Sequence, residues 1–407
     1  MNRKRFKRPR RLFLQQMGLA GLALAALPEG AWGEENDAAE VMQRIRSRTL
    51  EYIESMRLGD GPYGRYRYSA DVSKPTLYSS TYAAMTRHLY GDLDSLADAQ
   101  RQSWIDYLQS HQNEDGLFRD PVIGRGQAYE HLSWHVTTAL HCLGANARRP
   151  LRWLDQFKDP ATLARWLDGL DWGYRVDYTS NTVQNLCVAL QYARDFHHDE
   201  DAAAPVEQIL TSLAERADPQ TGLWGSGQYN LNKPIDLSRA VQAAYHFWLL
   251  WIYDGQTIPY RQLAVDQLLK TQNEKGGYGW GVHNRVDPTN SSACEDIDSV
   301  DPLVRLMRAS DYRRDEITAS LERALPWILT NQTASGSWVF KRGLSFVYGH
   351  PEMRAGAGVG GMFPTWFRTL CLAYLGQGLP ESPPGKYRWQ FVHSPGSHFW
   401  IDPASAP

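Results

Sequence analysis

The chain has 407 residues, 43% of them apolar, with 43 Lys+Arg against 45 Asp+Glu and a formal charge of −2. Residues 1–33 hold seven of those basic residues and one of the acidic ones, so the other 374 carry 36 against 44, a net −8 that argues against a nucleic-acid partner. Cys142, Cys187, Cys294 and Cys371 show no metal-ligand spacing and three of them sit in apolar helical runs, so they read as small buried hydrophobes.

Taken in chain order, the first segment reads as an address rather than as fold. Seven basic residues between Arg3 and Arg11 precede a short apolar stretch, Met17 to Leu27, that ends near Gly33. Such a stretch is too short to span a bilayer and fits a removable signal. Arg10-Arg11-Leu12-Phe13-Leu14-Gln15 resembles a twin-arginine export motif, with a general secretory signal as the alternative; either implies export, here to the periplasm.

Beyond residue 33 one short pattern recurs every 50 to 60 residues or so. Its clearest copies run from Gln112 through Gly116 to Phe118, from Gln272 through Gly276 to Tyr278, and from Gln332 through Gly336 to Trp338. Weaker copies span Asp218–Trp224 and Asp168–Gly173, and a degenerate one spans Gly59–Arg67. Glycine at positive φ and an aromatic folded back over the chain give such turns a structural role first.

The pattern divides the chain into helix pairs. Amphipathic first helices are expected near 36–56, 95–112, 160–168, 204–217, 259–272 and 313–331, and more apolar second helices near 77–90, 130–144, 180–194, 237–253, 295–309 and 363–376. Six pairs in one unit predict an all-α fold, a single (α/α)6 toroid spanning 34–377, with an inner and an outer helical ring; an open solenoid is the alternative. Residues 378–407 have no helical period; they are expected either to strap across one mouth, anchored by Trp389, Phe391 and Trp400, or to form a loose tail.

The starts of the inner helices should open on a common cavity. Glu295, Asp296, Asp298 and Asp301 fall within seven residues there, and repulsion with partial burial would raise at least one carboxyl pKa, as a proton donor at neutral pH requires. Asp301 before Pro302 also reads as a helix cap. Tyr82, His131, Trp134, His135, Asn181, Arg239, Trp366 and Arg368 complete the candidate binding set. His131 and His135 share a helix face, but no third ligand is signalled, so hydrogen bonding within a polar pocket is expected rather than a metal.

The turn Gln332–Trp338 matches the QW motif repeated through squalene and oxidosqualene cyclases. Asp296-Ile297-Asp298-Ser299 is similar to the DxDD motif of class II terpene cyclases, with Ser299 where the last aspartate stands and Pro302 close behind. The resemblance implies a terpenoid-cyclase-like α/α toroid in which Asp298 protonates an alkene or epoxide. Protein prenyltransferases, relatives on the same architecture, match less well, because no histidine accompanies Cys294 as their zinc site demands. The implied activity is acid-initiated cyclisation or isomerisation of an oxygenated isoprenoid, with Asp298, Asp296 and Glu295 as catalytic candidates and no cofactor. A polysaccharide lyase or glycoside hydrolase acting on an oligosaccharide is the alternative, and a non-catalytic binding protein the third; a peripheral membrane contact stays open.

Overall fold

The computed structural model describes residues 35–124, 128–173, 175–225 and 229–401; the export segment lies outside them. Twelve α-helices and one two-residue hairpin make up the regular structure of the described residues. The outer helices are α1 (Glu35–Ser55), α3 (Asp98–Gln109), α5 (Pro160–Asp168), α7 (Ala203–Arg216), α9 (Arg261–Lys270) and α11 (Arg314–Leu329). Alternating with them run α2 (Leu77–Leu89), α4 (Tyr129–Cys142), α6 (Val176–Phe196), α8 (Pro234–Tyr253), α10 (Ala293–Ala309) and α12 (Met362–Gly378), the inner set. These ranges follow the expected pairs to within about one helical turn.

Burial explains why the two sets differ. α7 buries Val206, Ile209, Leu210 and Leu213, a single stripe at i, i+3, i+4 and i+7, whereas α12 is buried on every side from Met362 to Gly376. Each inner helix packs on the next, and α12 packs back on α2, so the inner ring is closed.

The recurring turns supply the second closure. Gly116, Gly276 and Gly336 adopt φ of 90°, 93° and 86°. A Cβ at these glycines would approach a backbone oxygen of the following repeat, Pro150 O at 2.4 Å, Arg323 O at 2.3 Å and Arg48 O at 2.1 Å, so only glycine fits. The preceding glutamines cross the same seam, Gln112 Nε2 donating to Arg149 O at 2.8 Å and Gln272 Nε2 to Ser320 O at 2.8 Å. In the last copy Gln332 Nε2 and Trp338 Nε1 both donate to Thr49 on α1, at 3.1 and 3.2 Å. The sixth repeat thus docks on the first, and the fold is a closed toroid rather than a solenoid.

Residues 379–401 do not lie across a mouth from outside. They run along the end where the inner helices finish, and Ser394 to Phe399 enter the ring. Trp389 is buried against Tyr90, with ring centroids 5.3 Å apart, and Phe391 and Trp400 pack on Tyr374 at 5.5 and 6.2 Å. All four cysteines are free thiols; Cys294 alone is half-buried. No helix of the described residues is long and apolar enough to cross a membrane.

Candidate active site

The acidic segment opens α10, and its four carboxylates have four different environments. Ser292, not Asp301, caps the helix: its hydroxyl accepts from Glu295 N at 3.2 Å while Glu295 Oε2 accepts from Ser292 N at 2.8 Å, a reciprocal capping box. Asp301 lies in the third turn with Pro302 inside the helix, so the expected Asp301 cap is corrected. A helical proline has no N–H, and the Asp298 carbonyl therefore lacks its usual i+4 donor.

Glu295 also accepts from Val282 N at 3.1 Å, which pins the loop before α10 to the helix start. Burial, followed by the Asp296 charge, raises its pKa to about 7 against the bonds from Ser292. Asp296 is wholly buried and fully occupied: Tyr278 N and Ser291 Oγ donate to one oxygen at 2.8 Å each, Trp327 Nε1 donates to the other at 3.1 Å, and Arg368 forms an ion pair with it. Asp296 and Arg368, expected at the cavity, instead join α10 and α12 to the Gly276–Tyr278 turn. Asp301 is likewise taken, by Arg305 Nε at 2.5 Å and Tyr245 Oη at 3.0 Å.

Asp298 stands apart from the other three. It is 4% exposed and has no hydrogen bond or ion pair among the described residues. Burial first, then Glu295, Asp301 and Asp296, push its carboxyl well above the ordinary aspartate range, which favours the protonated form.

The candidate hollow at Asp298 is outlined by half-buried side chains on the inner helices and the hairpin loop. His131 on α4, His246 on α8, Cys294 on α10 and Tyr348 from the hairpin β1 (Phe346–Val347) and β2 (Arg354–Ala355) all have this character. The charge of His246 adds to burial in lowering the pKa of His131, so the two rings lie near one another. Burial lowers their pKa values to about 3 and about 4, leaving neutral imidazoles. His131 Nδ1 is 2.6 Å from Tyr78 Oη, and Ser180 Oγ is 3.0 Å from His246 Nδ1. His135 Nδ1 lies 2.8 Å from the His131 carbonyl and stacks on Trp134 at 3.5 Å, so the His131–His135 pair is bound within the pocket wall. No set of three metal-ligating side chains occurs among the described residues.

Asn181 and Asn185 form a short ladder that ends on Trp134 Nε1, with bonds of 3.2 and 3.1 Å. Gln242 and Arg239 lie half-buried one and two turns before His246 on α8. Tyr82 and Trp366 are stacked at 5.2 Å but fully buried, because Tyr348, stacked on Phe363 at 4.4 Å, covers them. Tyr348 thus holds the accessible aromatic position expected of those two. Gln242 and His246 continue the helical spacing of Arg239 and were legible there; Tyr348 sits in a loop whose sequence carries no period.

A second concavity, about 450 Å³, opens at the opposite end between Arg194, Asp195, Tyr253, Asp254, Gln256 and His393. Its charges are engaged with each other: Arg194 bonds Asp195 at 2.7 Å and Asp254 at 2.8 Å, and Tyr253 donates to Asp195 at 3.0 Å. Asp298, by contrast, has no such partner among the described residues, which makes its surroundings the candidate chemical site.

No family model and no curated protein matches the sequence. Solved structures do. A glycosidase variant in complex with glucose is 13% identical with a TM-score of 0.51, covering 85% of this chain and 100% of its own. A second glycosidase variant gives 12% and 0.50, covering 85% and 99%. A type II terpene cyclase variant from Scytonema in complex with geranylgeranyl dihydroxybenzoate gives 13% and 0.46, covering 85% and 99%. At these identities the likeness is one of fold: the chain is an all-α toroid.

Proposed function

We propose that the protein is an exported enzyme that starts its reaction by donating the Asp298 proton to an oxygenated small molecule held in the hollow, and that the reaction is cyclisation or isomerisation of an oxygenated isoprenoid or similar compound. The observation that carries this reading is the buried carboxyl of Asp298, which has no hydrogen-bond or ion-pair partner among the described residues and a pKa raised by burial, beside neutral imidazoles and aromatic rings. Protonating an alkene carbon or an epoxide oxygen needs one acid. The proton added at the start leaves at the end when the cation loses one from a neighbouring carbon. The sum is balanced without a cofactor, and a neutral imidazole such as His131 or His246 can receive the departing proton. The polar lining from Asn181, Arg239 and Gln242 favours a substrate bearing oxygen over a bare hydrocarbon.

A second reading, hydrolysis or elimination on an oligosaccharide, draws on that same polar lining and on half-buried Glu130 and Asp236, either of which could serve as a second carboxylate beside Asp298. The test is incubation of the purified chain with the lipid extract and with the exported glycans of its source, read by mass. Product from lipid supports the first reading and product from glycan the second. Stabilisation by a ligand without any product overturns both in favour of a binding protein. Asp298→Asn should lower turnover about 10²- to 10⁴-fold, the usual worth of a positioned proton donor; unchanged turnover contradicts the proposal.

A further inference from the structure

Residues 394–399 enter the ring from the end where the inner helices terminate, and Ser394, Ser397, His398 and Phe399 are between 0 and 4% exposed there. Their contacts reach four inner helices. Thr138 on α4 meets Ser394 hydroxyl to hydroxyl at 3.5 Å, and Tyr253 on α8 packs on Phe399 at 5.4 Å. Arg305 on α10 donates to the Phe399 carbonyl at 2.7 Å, and Tyr374 on α12 donates to the same carbonyl at 3.0 Å. A segment without helical period, bonded this widely, is a filling of the ring and not an appendage.

Two of its contacts reach the aromatic side chains behind the hollow. Gly396, at φ 117°, lies against the face of Trp134, where an added Cβ would come within 2.9 Å of the ring. Trp134 is tied on its other side to Asn185, so a side chain at 396 drives the indole away from the segment and toward the hollow. Trp366 Nε1 donates to His398 Nδ1 at 2.9 Å. An indole N–H can only donate, which fixes the neutral His398 ring with its proton on Nε2. Trp366 then stacks on Tyr82, beneath Tyr348.

We propose that the C-terminal segment is the depth gauge of the hollow: residues 394–399 close it from below, Gly396 sets the position of Trp134, and His398, through Trp366 and Tyr82, sets that of Tyr348, so that together they determine the longest substrate the ring accepts. The proposal rests on the reading that the substrate occupies the hollow. It assigns Gly396 and His398 as positioning residues that need not touch the reacting atoms.

The test has a ligand-free arm and a ligand arm on the full chain. In fluorotryptophan-labelled protein, with resonances assigned by Trp134→Phe and Trp366→Phe, Gly396→Ala should shift the Trp134 fluorine signal and His398→Ala the Trp366 signal, while buried Trp224 stays in place. Ladders of epoxidised prenyl alcohols and of oligosaccharides, each of increasing length, then measure the cut-off. Gly396→Ala should raise KM for the longest accepted member about tenfold while leaving kcat and the shorter members near wild type. His398→Gln, which keeps a donor and an acceptor at similar reach, should restore more of the wild-type cut-off than His398→Ala. Unmoved tryptophan signals, or an unchanged cut-off with moved signals, overturn the proposal. If neither ladder binds the wild type, the proposed function fails, and the fluorine signals alone decide the gauge. Should Gly396→Ala not fold, His398→Ala carries both readouts.

Discussion

Asp298 and Asp301 sit on one helix, less than one turn apart, and have opposite fates. Asp301 meets Arg305, Tyr245 and, through Arg305, the Phe399 carbonyl. Arg305 is itself boxed by aromatic rings, its guanidinium carbon 4.4 Å from Phe399 and 5.1 Å from Tyr374. Asp298, toward the other end, has no hydrogen-bond or ion-pair partner among the described residues, and burial raises its pKa. The lower half of the ring uses its charges for cohesion, and the upper half leaves one acid unspent. Burial alone therefore does not mark a functional carboxylate; burial without a partner does.

The comparison can be broken from either side. Arg305→Ala strands the Asp301 charge and releases the C-terminal segment, and should destabilise by about 3–5 kcal/mol in denaturant unfolding. Asp298→Asn, replacing a protonated carboxyl by a near-isostere, should stay within about 1 kcal/mol of wild type; equal losses in the two variants would erase the distinction between the halves. Asp296→Ala leaves Trp327 Nε1 and Tyr278 N–H without their acceptor and Arg368 without its counter-charge, and should cost about 3 kcal/mol, placing Asp296 with Asp301 as a structural acid.

The pH dependence sharpens the same contrast. Both Asp298 and Glu295 have folded-state pKa values raised above those of the unfolded chain. The unfolded chain therefore ionises first, and the stability these groups contribute is fully present below the ordinary carboxyl range and lost as pH rises through the folded values. For Glu295 that window runs from 4.5 to about 7. Melting temperature of the wild type should fall across this window relative to an Asp298→Asn, Glu295→Gln double variant, and turnover should fall at higher pH as Asp298 ionises; a flat difference between the two proteins would contradict the assignment. The smallest expected effect is at the cap: Ser292→Ala removes one acceptor at the α10 start and should cost about 1 kcal/mol by thermal unfolding, with turnover retained.

The twelve helices were legible because a pattern set by packing repeats itself: Gln112, Gln272 and Gln332 precede Gly116, Gly276 and Gly336 at one spacing, and the glycine is demanded by the next repeat's backbone. The place of Asp298 on an inner helix was legible in the same way. Which of its neighbours would be spent was not legible, since Asp296 is satisfied by Arg368 and Trp327, 72 and 31 residues away, and spacing along one helix says nothing of such partners. Tyr348 and His398 escaped for a related reason: each acts from a segment without periodicity, where position is fixed by the ring it enters. Tyr82 and Trp366 were read as cavity aromatics from helical register alone, and the hairpin that covers them has no local sequence sign.

The most direct test is a carbon-13 carboxyl titration of the aspartates, with the Asp298 resonance assigned by its absence in Asp298→Asn. The account predicts that this resonance stays in its protonated position at neutral pH, after the surface aspartates have titrated. An Asp298 signal that moves together with theirs would mean the hollow holds an ordinary carboxylate and no proton donor.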